Sequence, residues 1–278
     1  MTKSAPMPIV LTIAGSDSSG GAGIQADLKT FSAFGVYGAS VITALTAQNT
    51  RGVAGVLVTP PEFIVAQIDA VASDLAITAV KTGMLAAAAA VEAVCAAIQR
   101  HKIGPLIADP VMVATSGDPL LADDAIAAVR ARLIPNAALI TPNLHEAARL
   151  LECGIAANVA EMTAQARALQ ARFGAQGVLI KGGHATGRDA VDVLLGADGV
   201  AIALAEPRLA VSTTHGTGCT LSAAIAALMA TGVPLTEAVR RAKRYVWLAL
   251  AAGDGMRIGH GNGPLDHLYA IRTHPPPS

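Results

Sequence analysis

Short, nearly continuous apolar runs alternate with helix-spaced segments along almost the whole of this 278-residue chain. That alternation restricts the fold more than any other feature. Residues 9–14, 41–46, 53–59, 77–81, 105–109, 138–141 and 178–181 read as strands. Residues 24–34, 61–75, 86–100, 122–133, 144–151 and 161–173 carry helical spacing, with a proline in the first turn of the second. Strands that are apolar along their length must be covered on both faces. Strands separated by helices form crossover units, so the fold class is α/β with a mostly parallel central sheet. Residues 190–195 and 200–204, split by Gly196-Ala197-Asp198-Gly199, read as an antiparallel hairpin. Helices are expected again at 219–231, 235–252 and 265–271. With no linker, repeat or composition break, residues 1–278 read as one domain, with 273–278 a disordered proline-rich tail.

Composition narrows the function. Lys plus Arg and Asp plus Glu both number 20, and aromatic residues make up only 3%. A nucleic-acid groove needs phosphate-neutralising charge and often stacking rings, so that class is set aside. The three cysteines, Cys95, Cys153 and Cys219, are scattered and show no metal-ligand spacing. They fit a reducing, cytoplasmic setting. No signal peptide is expected, since residues 1–8 are short and broken by prolines with no cleavage site after them, and no membrane span is expected, since the apolar runs are too short.

Polar residues cluster at strand ends: Asp17, Gln48 and Asn49, Lys81, Asp109, Asn143 and Lys181. Open α/β sheets bind ligands beyond the carboxyl ends of their strands. Two glycine loops strengthen the signal. In His215-Gly216-Thr217-Gly218-Cys219-Thr220 a glycine loop opens a buried helix. Its free first-turn N–H groups and positive dipole end make an anion site. Helix N-termini lower thiol pKa, so Cys219 is expected to be a partly ionised base or nucleophile; the alternative is a small buried hydrophobe. The earlier loop, residues 15–23, lacks the lysine of a P-loop and reads either as a flexible turn or as a ligand-hugging loop. Asp27, just beyond it, is either solvated, paired with Lys29, or a ligand contact. Asn143 and Glu146 have the spacing of a capping box, with service to a hydrated Mg²⁺ as the competing idea. Lys181 is a solvated strand end or a phosphate-neutralising point charge. His184 reads as structural.

Taken together, the segments TIAGSDSSGGAGIQADLKTFSAFG (12–35), VITALTAQNTRGV (41–53), KTGML (81–85), DPVM (109–112), SGDPLL (116–121), LITPNLHEA (139–147), LIKGGH (179–184), HGTGCTLSAA (215–224) and GHGNGP (259–264) strongly resemble the hydroxymethylpyrimidine/phosphomethylpyrimidine kinases of thiamine biosynthesis, in the ribokinase-like superfamily. The resemblance implies a three-layer α/β/α sandwich with a small β flap, usually a homodimer. It implies phosphorylation of 4-amino-5-hydroxymethyl-2-methylpyrimidine, and then of its monophosphate, by ATP with Mg²⁺. It assigns the pyrimidine pocket to Gly15, Asp27, Gln48, Met84 and Val111. Cys219 takes the place of the usual aspartate base, and the backbone of Gly216, Thr217, Gly218 and Cys219 forms an anion hole. Lys181, Thr214 and Lys243 correspond to nucleotide or phosphate contacts, and Asp109, Asn143 and Glu146 to Mg²⁺ and phosphate positions. Ser18 stands where a proline is common, with little consequence expected. The alternatives are a pyridoxal/pyridoxine kinase of the same superfamily, which Gln48 and the GGAGIQAD run disfavour, and a non-catalytic pyrimidine-binding protein, which the intact Lys181, Glu146 and Cys219 disfavour.

Overall fold

A computed structural model describes residues 6–112, 123–183 and 185–273. The SGDPLL segment at 116–121, His184 and residues 274–278 of the expected tail lie outside the described residues.

The chain runs β1 (Ile9–Asp17), α1 (Gly23–Ala33), β2 (Tyr37–Asn49), β3 (Gly52–Val58), α2 (Pro61–Ala72), β4 (Ile77–Thr82), α3 (Ala88–His101) and β5 (Leu106–Ala108). It continues through α4 (Asp123–Ala128), a π-helical segment (Val129–Leu133), α5 (Ile134–Asn136), β6 (Leu139–Ile140), α6 (Leu144–Leu151), α7 (Val159–Phe173) and β7 (Val178–Ile180). It ends with the hairpin β8 (Asp189–Leu195) and β9 (Ala201–Pro207), then α8 (Thr217–Ala230), α9 (Leu235–Gly253) and α10 (Tyr269–Thr273).

All described strands join one sheet in the order β3-β2-β1-β4-β5-β6-β7-β8-β9. The pairings from β2 through β1 to β7 are parallel, while β3, β8 and β9 are added antiparallel at the two edges. Two separate cores follow from the strand pleat, in which neighbouring residues point to opposite faces. Leu11, Val80, Ile140, Ile180 and Leu195 pack with α2, α3, α6 and α7 on one face. Their chain neighbours Val10, Ala79, Leu139, Leu179 and Leu194 pack with α1, α8 and α9 on the other. This is the expected three-layer α/β/α architecture, and the strand-end polar residues share one rim of it.

Three expected elements differ. β2 extends well beyond 41–46, because β1 pairs along its first half and β3 along its second, overriding the poor strand propensity of Gly38, Ala39 and Ser40. The helix expected over 122–133 breaks into a π-helical turn just before Pro135, which has no N–H to continue the ladder. The last helix starts at Tyr269 rather than 265, where the Asp266 carboxylate accepts the Leu268 N–H at 3.1 Å and holds a turn instead.

Candidate active site

The strand ends open into a cleft of about 660 Å³. Its wall includes Asp17 and Gln48 from β1 and β2, Lys81 from β4 with Gly83 and Met84 beyond it, Asp109 after β5, Asn143 and Glu146 at the start of α6, and Lys181 after β7.

Asp17 organises the first glycine loop. Its Oδ1 accepts the N–H of Ser19 at 2.8 Å and its hydroxyl at 2.7 Å, and its Oδ2 accepts the N–H groups of Gly21 at 3.1 Å and Ala22 at 2.8 Å. His215 Nε2 lies 2.8 Å from the same Oδ2. Burial opposes ionisation, but the hydrogen bonds from His215 and Ser19 and the charge of His215 outweigh it and hold the carboxyl at about 2. The second loop is thereby tied to the first. Gly216 has φ +80°, and a Cβ there would lie 1.9 Å from the Gly21 carbonyl oxygen, so the loops pack backbone against backbone. Ser18 has the consequence that sequence reasoning denied it: its hydroxyl donates to the Gln48 carbonyl and accepts the Gln48 N–H, both at 2.9 Å. A proline could do neither.

Gly216 is the N-cap of α8. The Thr217 N–H turns back to the Thr214 carbonyl at 3.3 Å, so of the expected four-residue anion hole the N–H groups of Gly216, Gly218 and Cys219 are left without an acceptor among the described residues. No acidic residue occupies the first turn, and the positive end of the dipole is left for a ligand. Lys181 sits beside it: a Cβ on Gly218 would fall 3.1 Å from Lys181 Nζ. That ammonium is held by Asp109 Oδ1 at 2.7 Å and lies 4.0 Å from Glu146 Oε2. Burial pushes the Lys181 pKa down, but Asp109 and Glu146 more than reverse it, keeping the lysine charged.

At Asn143 and Glu146 the capping box is present. The Glu146 N–H donates to Asn143 Oδ1 at 2.9 Å, and the Asn143 N–H donates to Glu146 Oε2 at 2.7 Å. Asn143 therefore caps the helix through its side-chain oxygen, and it also lines the cleft. Among the described residues no group of three or more His, Cys, Asp and Glu side chains could by itself hold a metal ion. Glu146 and Asp109 still line the cleft. Burial, with repulsion from Asp109, raises the Glu146 pKa to about 7 against the pull of Lys181 and two backbone N–H groups. A carboxylate whose charge its surroundings leave under-compensated suits a cation. Mg²⁺ keeps most of its waters and needs only one or two carboxylates besides phosphate oxygens, so these residues fit it.

Gly15, Gln48, Met84 and Val111 line the same cleft. Gly15 faces Met84 so closely that a Cβ would sit 2.4 Å from the methionine Cε. Thr214 hydrogen-bonds Asn262, and Lys243 Nζ is paired with Asp192 Oδ2 at 2.7 Å; Thr214, Lys243 and Asp192 are all on the cleft wall.

Two expectations about this site are overturned. Asp27 is neither solvated, nor paired with Lys29, nor on the cleft wall. It is fully buried and bound by Lys81 Nζ at 2.9 and 2.8 Å, while Lys29 reaches the Gly20 carbonyl. The half-buried Cys219 does not have a lowered pKa: burial pushes its thiol up, Asp27 and Asp109 add to this, and Lys81 and the Gly23 N–H oppose it. Desolvation, with the two carboxylates, outweighs Lys81 and the Gly23 N–H. Sequence reasoning gave no role to Lys81 or to the His215–Asp17 link. The KTGML segment and the histidine heading the second loop were the available signals.

The family model for phosphomethylpyrimidine kinase matches residues 17–266. A hydroxymethylpyrimidine/phosphomethylpyrimidine kinase of Rhizobium meliloti is 53% identical over 261 residues, covering 94% of this chain and 97% of that protein. The solved phosphomethylpyrimidine kinase of Clostridium difficile is 42% identical at a TM-score of 0.76, covering 87% of this chain and 99% of its own. The ADP complex of Bacillus subtilis pyridoxal kinase is 36% identical at a TM-score of 0.87, covering 95% and 99%.

Proposed function

Because the chain belongs to the phosphomethylpyrimidine kinase family, we propose that it transfers the γ-phosphoryl group of ATP to 4-amino-5-hydroxymethyl-2-methylpyrimidine and then to the resulting monophosphate. One observation carries this reading: Cys219, the free N–H groups of Gly218 and Cys219, Lys181 and Glu146 share a cleft with Gly15, Gln48, Met84 and Val111. Phosphoryl transfer needs in-line positioning and charge stabilisation more than covalent chemistry. The pyrimidine lies against Gly15, Met84 and Val111 with Gln48 bonding its polar edge. Cys219 takes the hydroxymethyl proton, and the N–H groups at the start of α8 together with Lys181 hold the charge of the moving phosphoryl group. Thr214 and Lys243 contact the nucleotide. Glu146 and Asp109 would hold Mg²⁺, which would supply the countercharge for the ATP phosphates.

A mass-resolved time course with excess Mg-ATP tests the reading against a panel of hydroxymethylpyrimidine, its monophosphate, pyridoxal and ribose. The expected products are the pyrimidine mono- and diphosphates. A higher kcat/KM for pyridoxal would move the assignment to the second reading, which the likeness to a pyridoxal kinase fold supports. Monophosphate that is never consumed would remove the second step.

The working form is proposed to be a homodimer. The edge strand β3 and its surroundings expose Leu45, Val56, Leu57, Val58 and Phe63, an apolar patch of the kind that marks an interface. Light scattering of the protein and of Leu57→Glu checks it. A cytoplasmic location is the accompanying proposal. Among the described residues no helix is long and apolar enough to cross a membrane, and the three cysteines are free thiols.

A further inference from the structure

Lys81 and Asp27 form an ion pair directly behind the reacting groups, and no step above uses them. Such a pair is costly to bury, and an apolar pair of similar volume is often no less stable. Its retention therefore invites a question about function. The pair is tightly built. Asp27 holds the ammonium with both oxygens at 2.9 and 2.8 Å, and the Thr12 hydroxyl donates to Asp27 Oδ2 at 2.6 Å. Lys81 is closed off from bulk solvent, yet it forms part of the cleft wall. Space for its ammonium is kept by Gly83, where a Cβ would lie 3.0 Å from Nζ.

The pair also lies close to Cys219. Gly23, Lys81 and Cys219 line the same cleft, and the loop before α1 packs on the start of α8, where a Cβ on Gly216 would lie 1.9 Å from the Gly21 carbonyl oxygen and 3.3 Å from Ala22 Cα. Asp27 is one helical turn beyond Gly23 along the same face of α1, and Lys81 is clamped to it. The charged groups facing the thiol are thus Lys81 from β4, Asp27 from α1, Asp109 after β5 and Lys181 after β7. Lys181 is drawn to Asp109, Glu146 and the phosphoryl position. Lys81 lies on the cleft wall with Gly83 and Met84.

We propose that Lys81 is a positioning residue for Cys219: its ammonium, fixed by Asp27, stabilises the thiolate that removes the acceptor's hydroxyl proton. This rests on Cys219 being the base. In the step, the sulfur lone pair takes the hydroxyl proton to form an S–H bond, the oxygen uses the O–H electrons to bond the γ-phosphorus, and the bond from that phosphorus to the bridging oxygen breaks, its electron pair leaving with ADP. Lys81 stays protonated throughout and offsets the desolvation that otherwise favours the neutral thiol.

The test reads the thiolate directly, without turnover. In a Cys153→Ser background, which removes the exposed thiol, iodoacetamide alkylation of the Cys219 peptide is followed by mass spectrometry as a function of pH. A facing opposite charge moves a pKa by about one to three units, so Lys81→Met is expected to slow alkylation at pH 8 about tenfold or more. If Lys81→Met fails to fold, Asp27→Asn/Lys81→Met is used. It removes both charges, leaves an oxygen for Thr12, and is expected to slow alkylation in the same direction. A folded variant whose alkylation profile superimposes on that of the parent overturns the proposal. A separate result, full kcat in a folded Cys219→Ala, would instead overturn the role of Cys219 as base, with the Lys81 effect on the thiol still measurable.

Discussion

Replacing Glu146 by glutamine should make the ligand-free protein more stable while damaging its use of Mg-ATP. The carboxyl is 5% exposed, and its pKa rises from an ordinary 4.5 to about 7, chiefly through burial. A group whose pKa is raised on folding contributes stability that is present below the unfolded value and lost as pH climbs through the folded one. For Glu146 that window runs from 4.5 to about 7. Above it the native state holds an ionised carboxylate at a cost of about 3 kcal/mol, from some 2.5 pKa units at about 1.4 kcal/mol each. Glutamine has no charge to desolvate and keeps an oxygen for the Asn143 N–H that Glu146 now accepts at 2.7 Å. Lys181 keeps Asp109. Urea unfolding of Glu146→Gln without ligand should therefore show a gain of up to about 3 kcal/mol at pH 8 that shrinks to nothing near pH 4. Added Mg-ATP should stabilise the variant less than the parent, because the carboxylate that suits the cation is gone. Equal or lower stability of the variant at pH 8 would refute the reasoning.

Cys219→Ala should fold normally and lose roughly 10²–10⁴ in kcat with little change in acceptor KM, the usual range for a general base, checked by steady-state kinetics. Gly15→Ala should raise the acceptor KM and leave the ATP KM alone. The new Cβ, 2.4 Å from Met84 Cε, can be relieved only by moving the flexible methionine end, and the free space there is the cleft. Asp17→Asn should cost about 2 kcal/mol at neutral pH, from the depression of its pKa from 3.8 to about 2. For a carboxyl depressed on folding, stability is present above the unfolded value, so this loss should fade as pH drops from 4 towards 2 in denaturant titrations.

The strand–helix alternation was legible because each strand is apolar on both faces, and the two cores divide alternate residues such as Leu179 and Ile180 between them. Boundaries were less so wherever pairing, rather than propensity, decides them. Residues 37–40 are strand because β1 lies beside them, a fact that no local window contains. The glycine loops were visible as loops. Their interlock was not, since His215 and Asp17 are 198 residues apart in the chain and meet only in space.

The same limit explains the misreading of Asp27. Viewed along the chain, its nearest cation is Lys29, and its distance from a glycine loop suggests a ligand contact. Helix geometry turns it inward instead, beneath the loop and against β4, where burial without a partner would cost more than the fold can spare. The cation that answers it is Lys81, 54 residues away and noticed in the sequence only as a strand end. Cys219 shows the converse. Its place at a helix N-terminus was read correctly, but the terminus is one influence among several, and the thiol is made hard to ionise by burial and by carboxylates, Asp27 and Asp109, that come from elements remote in sequence. What a site residue is can thus be read locally. Its charge state is set by neighbours that only the folded chain brings to it, and at Cys219 those neighbours include Lys81, Asp109 and, behind the cleft wall, Asp27.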